Sequence, residues 1–306
     1  MMRLSDHPIF GQQVRRTPLL SPAGKENLLC KLECCQVGGS FKIRGSLATL
    51  LALEAAGNRK GVITASMGNT ASGLAYAGRL FKYPVAVVMP ATVSATKLEA
   101  TRKIGAEVIL KGSVGDDALE HAFKLAKERD ILFVHPHKTP SFLEGNATIA
   151  HEIIAENPAV EQIYIPIGGG GLASGICRYI REHGLSLRPI GVEAERAPAF
   201  SRSFEKGRPV RLDSMETIAD ALTLMEPDPD VFAYLYQNLA KVVTVSEIEI
   251  IHAMKMLYDE FRVIAEPGGA APLAAMLGEN PPGISAAIIS GGNISLEAFQ
   301  KITLNA

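Results

Sequence analysis

The sequence predicts an α/β fold with mostly parallel sheets, on the basis of three observations. Short apolar segments alternate with helical segments from residue 46 onward, as expected for parallel strands that helices cover on both faces. The chain of 306 residues is long enough for two domains of about 150 residues each. Glycine-rich loops follow several predicted strands, where open α/β sheets bind their ligands.

The first run of alternating elements lies between residues 46 and 134. Helical spacing, with Gly57 and Gly105 just past two of the helix ends, predicts helices at Ser46–Ala56, Asn69–Leu80, Ala95–Ile104 and Asp116–Glu128. Apolar runs between them predict strands at Gly61–Ala65, Tyr83–Met89, Glu107–Leu110 and Ile131–Val134.

The second run repeats this pattern later in the chain. Helices are predicted at Glu144–Ala155 and Leu172–Glu182. Strands are predicted at Gln162–Ile167, Pro189–Val192, Val242–Val245 and Ala286–Ile289. Strands that alternate with helices in this way indicate mostly parallel sheets.

The composition is that of an ordinary globular protein, since 47% of the residues are hydrophobic and 21% are charged. Lysine and arginine total 31 against 32 acidic residues, a net charge of −1 that leaves no basic excess for nucleic acid. No apolar run approaches the roughly 20 residues that cross a bilayer, and the polar segment Met1–Phe10 has no secretory signal core. The four irregularly spaced cysteines indicate a reducing, cytoplasmic location. From the charge balance and the short apolar runs, we expect neither a nucleic-acid nor a membrane partner.

The most informative glycine cluster is Gly168–Gly171, which follows a predicted strand and precedes the helix at Leu172. Backbone N–H groups without neighbouring Cβ atoms can converge on one anion, and the helix N-terminus adds its dipole. We therefore predict a phosphate site, with a simple tight turn as the alternative. The spacing matches neither the dinucleotide-binding G-x-G-x-x-G motif nor a phosphate loop that ends in Gly-Lys-Ser/Thr. NAD and ATP are therefore not expected.

Three further clusters combine glycine with polar side chains. Lys42 lies within Gly38–Gly45, close to the start of the predicted helix Ser46–Ala56, whose positive end favours a neutral amine suited to a Schiff base. A solvated surface lysine is the alternative. The segments Ser66–Thr70 and Ser290–Asn293 each follow a predicted strand. By themselves they are equally compatible with a helix cap and a turn.

In this order, the clusters and the segments around them resemble the fold-type II pyridoxal-phosphate enzymes. Within that family they are similar to the threonine and serine dehydratases, a group that includes serine racemase. The resemblance extends over nearly the whole chain. It is carried by nine segments: Arg16–Leu19, Lys31–Glu33, Gly39–Gly45, Ser66–Thr70, Gly168–Leu172, Gly191–Glu193, Thr217–Asp220, Glu266–Ala270 and Ser290–Asn293.

The resemblance implies a role for each matched position. Lys42 matches the catalytic lysine that binds the cofactor as a Schiff base, and Phe41 matches the residue beside the cofactor ring. Asn69 matches the asparagine that binds the phenolic oxygen, and Ser290 matches the side chain that faces the pyridine nitrogen. The other implied cofactor-binding residues are Glu266 and the phosphate-binding Gly168, Gly169, Gly170, Gly171 and Leu172. The implied substrate-binding loop consists of Ser66, Met67, Gly68, Asn69 and Thr70.

The same resemblance implies a fold similar to the β subunit of tryptophan synthase. Two domains with open, twisted, mostly parallel sheets would hold pyridoxal phosphate in the cleft between them. Residues 1–45 and 139–306 would form the larger, cofactor-binding domain, and residues 46–138 a smaller, inserted substrate domain. The implied protein is a homodimer.

The activity that the resemblance implies is β-elimination from a β-hydroxy amino acid such as L-threonine or L-serine, which releases a 2-oxo acid and ammonia. Three alternatives stay open. The first is a β-replacement synthase similar to the cysteine synthases, and the second is a lyase for an anionic substrate such as 3-hydroxyaspartate. The third is a binding protein that has lost its activity.

Several positions depart from the family pattern and bear on the substrate. Met67 stands where serine racemase has a serine that moves a proton, so we expect little racemisation. Thr70 stands where dehydratases usually have a histidine, and it is similar to the cysteine synthases. The segment His135–Lys138 is more basic than its family counterpart. It would suit an anionic β-substituent, unless these side chains are simply solvated.

The family's divalent-cation site is only partly retained. Glu193 and the carbonyl of Ala197 match two of its ligands, whereas Ala199 stands where an aspartate ligand is usual. The loss of a carboxylate weakens a site for a hard cation. We therefore expect no tightly bound Mg²⁺ or Ca²⁺, with a monovalent ion or water in its place.

Overall fold

A computed structural model describes residue 4 and residues 7–93, 95–113 and 115–304. Part of the polar N-terminal segment Met1–Phe10 therefore lies outside the described residues. The helices are α1 (Pro8–Gln13), α2 (Lys42–Ala55), α3 (Asn69–Phe81), α4 (Ala95–Ile104), α5 (Gly115–Glu128), α6 (Pro140–Glu156), α7 (Gly171–Glu182), α8 (Ala199–Lys206), α9 (Pro229–Asn238), α10 (Glu247–Phe261), α11 (Pro267–Glu279) and α12 (Leu296–Leu304). The strands are β1 (Leu19–Leu20), β2 (Leu28–Lys31), β3 (Val62–Ala65), β4 (Val85–Met89), β5 (Glu107–Leu110), β6 (Leu132–Phe133), β7 (Gln162–Pro166), β8 (Arg188–Ala194), β9 (Lys241–Val245) and β10 (Ser285–Ile288).

The chain forms two compact units. The smaller unit contains the residues up to Val14 and Lys42–Gly145, and the larger contains Arg15–Phe41 and the residues from Asn146 onward. The family resemblance predicts that residues 1–45 belong to the larger domain. The part up to Val14 instead groups with the smaller unit, because Phe10 and Val14 pack among its buried apolar side chains.

The smaller unit is built on a parallel four-stranded sheet in the order β5-β4-β3-β6. Successive side chains of a strand point to opposite faces of the sheet. Val85 and Val87 of β4 therefore pack in a core with residues of α2 and α3. Ala86 and Val88 pack in a second core with the alanines of α5.

The larger unit is built on a six-stranded sheet in the order β1-β2-β10-β7-β8-β9. β1 is antiparallel to β2, and the other pairs are parallel. Ile163 and Ile165 of β7 pack in a core with residues of α6 and α7, whereas Tyr164 packs with residues of α10 and α11. Both faces of the sheet are thus covered by helices, and the predicted α/β class with mostly parallel sheets is confirmed.

The structure contains elements that the sequence analysis did not identify. They are the strands β1 and β2 and the helices α1 and α8 to α12. Helix α2 begins at Lys42, earlier than the predicted start at Ser46. No helix within the described residues is long and apolar enough to cross a membrane.

Candidate active site

The glycine-rich segment Gly168–Gly171 joins β7 to α7, as predicted. Gly170 is the N-cap of this 12-residue helix, and no side chain of the described residues caps the N–H groups of the first turn. A Cβ atom on Gly168 would lie 2.8 Å from the carbonyl oxygen of Ala221, so the segment has no room for a larger residue there. The uncapped N–H groups at the positive end of a helix fit an anion such as phosphate.

Two other predicted cofactor residues lie at the same edge of this sheet. β10 lies between β2 and β7 and is parallel to both, so the loops after these three strands begin side by side. Phe41, at the end of the loop after β2, donates its N–H to the carbonyl of Ser290 at 3.0 Å. Ser40 also forms an isolated β-bridge with Gly291. Phe41, Ser290 and the glycine segment thus belong to neighbouring loops of one unit.

Glu266 lies next to the loop that contains Ser290, at the start of α11. It is the N-cap of α11, and its N–H donates to the carbonyl of Gly291 at 3.0 Å. A Cβ atom on Gly269 would collide with the backbone of Gly291. The first turn of α11 therefore packs directly against the loop that contains Ser290.

Lys42 is the first residue of α2 in the smaller unit, and its side chain is half-buried. Its Nζ lies 6.0 Å from the ring centroid of Phe142, at the limit of the distance over which a ring face attracts an ammonium group. The ring of Phe142 occupies the space where a Cβ atom on Gly45 would lie. Phe142 could not be identified from the sequence, because only the fold brings α6 to the start of α2.

The predicted substrate loop joins β3 to α3. Ser66 Oγ accepts the N–H of Gly68 at 3.2 Å, and Gly68 is the N-cap of α3. As a glycine, Gly68 has no side chain with which to cap this helix. Met67 is 41% exposed, whereas Thr70 is buried in the first turn. The loop therefore presents a second helix N-terminus that suits a carboxylate.

Helices α2 and α3 approach each other closely near the start of both helices. Gly73 lies one turn after Asn69 in α3 and faces the start of α2. A Cβ atom on Gly73 would lie 3.0 Å from Ser46 Oγ and 3.2 Å from the carbonyl carbon of Lys42. Gly73 thus sets how closely α3, which begins at Asn69, approaches the start of α2 at Lys42.

Gly73→Ala is expected to lower kcat about tenfold, because α3 must move by a few tenths of an ångström away from Lys42, and such misplacements are costly at reacting groups. The free energy of unfolding should change by less than about 1 kcal/mol, since alanine favours the helix by a similar amount. Steady-state kinetics and denaturant unfolding measure the two effects. The double variant Ser46→Ala/Gly73→Ala should recover part of the lost kcat, with Ser46→Ala alone as the control. Full activity of Gly73→Ala would contradict this role.

The implied cation ligands accept hydrogen bonds from nearby backbone N–H groups. Both carboxylate oxygens of Glu193 accept backbone N–H groups at 2.8 Å, from Phe200 and Ser201 at the start of α8. Burial raises the pKa of the Glu193 carboxyl to about 8, although these two hydrogen bonds lower it. The carbonyl of Ala197 accepts the N–H of Ala199 at 3.1 Å. No group of three or more His, Cys, Asp or Glu side chains within the described ranges is placed to hold a metal ion.

Comparison with known proteins agrees with the family resemblance that the sequence shows. A family model described as pyridoxal-phosphate dependent enzyme matches residues 9–291. The chain is 36% identical to an L-threonine ammonia-lyase of Thermotoga maritima over 296 residues, which is 94% of this chain and 74% of the relative. It is 34% identical to a β-hydroxyaspartate dehydratase of Paracoccus denitrificans over 305 residues, which is 96% of each chain.

A similar fold is found among solved structures. The processed form of threonine deaminase isoform 2 from Solanum lycopersicum superposes with a TM-score of 0.90 at 30% sequence identity. The match covers 99% of this chain and 91% of that one.

Proposed function

This chain belongs to the family of pyridoxal-phosphate dependent enzymes and, within it, to the threonine and serine dehydratase group, and on that premise we propose that it is an ammonia-lyase. It eliminates water from a β-hydroxy amino acid and releases a 2-oxo acid and ammonia. The relatives that bear names of this kind include an L-threonine ammonia-lyase and a β-hydroxyaspartate dehydratase.

The observation that carries this proposal is the position of Lys42 in the chain. It directly follows Phe41, whose N–H is bound to Ser290, and Ser290 shares a sheet edge with the glycine segment before α7. An amine, a hydroxyl and an anion-binding helix N-terminus are the groups that an aldehyde-bearing, phosphorylated pyridine cofactor needs. The residues present therefore fit pyridoxal phosphate.

We assign the individual roles on this basis. The N–H groups of Gly168–Leu172 would bind the phosphate, Ser290 and Asn69 would hydrogen-bond the ring, and Phe41 would pack beside it. Glu266 supports the Ser290 loop through Gly291. The loop Ser66–Thr70 would bind the carboxylate of the substrate at the N-terminus of α3.

When bound, pyridoxal phosphate supplies an electron sink for the charge that develops on the α-carbon. Lys42 Nζ accepts the α-proton of the amino acid and delivers a proton to the departing β-hydroxyl. Ser290, the residue assigned to the pyridine nitrogen, has a neutral hydroxyl. The chain therefore has no carboxylate there that would keep a proton on this nitrogen. The β-hydroxyl departs as water, and water then releases the nitrogen as ammonia. L-Threonine would give 2-oxobutanoate, and L-serine would give pyruvate.

The proposal is tested by incubating the cofactor-loaded protein with L-threonine, L-serine and 3-hydroxyaspartate and measuring 2-oxo acid. At least one of them should give product in proportion to enzyme and time. Absence of product from all three would refute the assignment.

We further propose that the protein acts as a homodimer in the cytoplasm. The homodimer is supported by the family relationship alone, and the cytoplasmic location by the four irregularly spaced cysteines. Light scattering of the purified protein would give twice the chain mass of 32.7 kDa, and a monomer at working concentrations would contradict the proposed assembly.

A further inference from the structure

The segment His135–Lys138 lies beside the Ser66–Thr70 loop within the smaller unit. β6 is parallel to β3 and is its neighbour in the sheet. The pairing continues one residue past β6, because Val134 donates its N–H to the Ile63 carbonyl at 2.8 Å. Thr64 Oγ1 also donates to the Val134 carbonyl at 3.0 Å. The two loops therefore leave the same sheet edge one strand spacing apart, about 4.8 Å.

Local hydrogen bonds order the start of this segment. The N–H of His135 donates to Thr139 Oγ1 at 2.9 Å, and the N–H of His137 donates to Nδ1 of His135 at 3.2 Å. The neutral tautomer that fits this hydrogen bond is the one with the ring proton on Nε2, which leaves Nε2 as the donor of the ring. The rings of His135 and His137 are edge to face, with centroids 5.2 Å apart.

The segment His135–Lys138 contains two histidines and a lysine and no acidic residue. His135 and His137 are half-buried, Lys138 is exposed, and no acidic residue lies between Asp130 and Glu144 in the sequence. Imidazole N–H and ammonium groups form charge-assisted hydrogen bonds with a carboxylate, whereas they gain nothing from a methyl group. A loop with this chemistry next to the loop for the substrate's α-carboxylate is within reach of the β-substituent of the same small molecule.

We propose that His135–Lys138 is a specificity segment that recognises an acidic group on the β-carbon of the substrate. This inference rests on the proposed function, because it names the substrate class of the same site. A β-hydroxy amino acid with a side-chain carboxylate, such as 3-hydroxyaspartate, is then a better substrate than L-threonine. His137 and Lys138 contribute to binding of that carboxylate.

The test compares kcat/KM for 3-hydroxyaspartate and L-threonine in the cofactor-loaded wild type, His137→Asn and Lys138→Met. The wild type should favour 3-hydroxyaspartate, and each substitution should lower the ratio of the two values by about tenfold, the effect of one charge-assisted hydrogen bond. Lys111→Met is the matched control. Lys111 is an exposed lysine that follows β5, at the opposite end of the same sheet from β6, so its substitution should leave the ratio unchanged.

A second readout does not depend on turnover. L-Aspartate and L-2-aminobutyrate correspond to the two substrates without the β-hydroxyl, and their dissociation constants can be measured from the cofactor absorbance. L-Aspartate should bind more tightly to the wild type, and His137→Asn and Lys138→Met should remove that preference.

The outcomes distinguish a failure of the specificity inference from a failure of the proposed ammonia-lyase function. Absence of 2-oxo acid from every amino acid would refute the ammonia-lyase function, while the binding comparison would still decide the specificity. A wild type that prefers L-threonine, or a preference for L-aspartate that both variants retain, would overturn the specificity inference and leave the ammonia-lyase function in place.

Discussion

Replacement of Lys42 by alanine is expected to abolish 2-oxo acid formation, with a fall in kcat/KM of about 10⁴-fold or more. Lys42 is the proposed proton acceptor, and loss of a general base alone costs about 10²–10⁴-fold. Loss of the amine that attaches the cofactor adds to this effect. Steady-state kinetics and the visible absorbance of the bound cofactor measure the two contributions.

The control for this variant is Lys111→Ala, which removes an exposed lysine from the same unit. It should keep both the activity and the absorbance of the wild type. A Lys42→Ala protein that keeps the absorbance of a covalently attached cofactor would show that another amine holds the cofactor. In that case the assignment of Lys42 would be wrong.

Gly170→Ala is expected to weaken cofactor binding about tenfold or more. Gly170 has a φ of 85°, and a non-glycine residue in that region costs about 1–3 kcal/mol. Its new Cβ atom would also lie 2.7 Å from Cγ1 of Val231 and 3.0 Å from Cδ1 of Leu235. Relief of these contacts must shift the N–H groups that we assign to the phosphate. Titration of the cofactor-free protein with pyridoxal phosphate gives the dissociation constant.

Gly184→Ala is the matched control for this experiment. Gly184 lies just past the other end of α7 and has a φ of 59°, but no atom lies within 4 Å of the position of its Cβ. The control variant introduces a similar backbone strain without a collision of the new Cβ atom, and Gly184 is remote from the proposed phosphate site. It should lower the free energy of unfolding and leave the cofactor affinity unchanged. Equal losses of cofactor affinity in the two variants would contradict a phosphate site at Gly168–Gly171.

The sequence predicted the elements whose pattern is local. The helix Ala95–Ile104 and the strand Glu107–Leu110 have the predicted bounds, because spacing and a terminal glycine determine them within a few residues. The glycine segment before α7 was also identified correctly, since a strand, four glycines and a helix are consecutive in the chain.

The elements that were not predicted depend on distant residues. β2 is only four residues long and ends in Lys31, which reads as the start of a polar loop. In the structure Lys31 is fully buried, because its Nζ pairs with Glu152 at 2.6 Å and donates to the Thr17 carbonyl at 2.7 Å. Nothing near Lys31 in the sequence indicates these partners.

The glycine and proline content also prevented the prediction of helix α11 and of the first turn of α2. Helix α11 begins with Pro267, Gly268 and Gly269 and contains Pro272, a composition that is typical of turns. Its residues are nevertheless buried almost throughout, so packing outweighs their low helix propensity. The early start of α2 has a similar cause, because Gly45 is required there by the ring of Phe142.

The ratio of ammonia to 2-oxo acid tests the proposed elimination most directly. The cofactor-loaded protein is supplied with a single β-hydroxy amino acid and no added nucleophile, and both products are measured over the same time course. Elimination predicts one ammonia for each 2-oxo acid from the first turnovers onward. Consumption of the amino acid only after sulfide or an amine is added, without release of ammonia, would contradict elimination and indicate a β-replacement synthase.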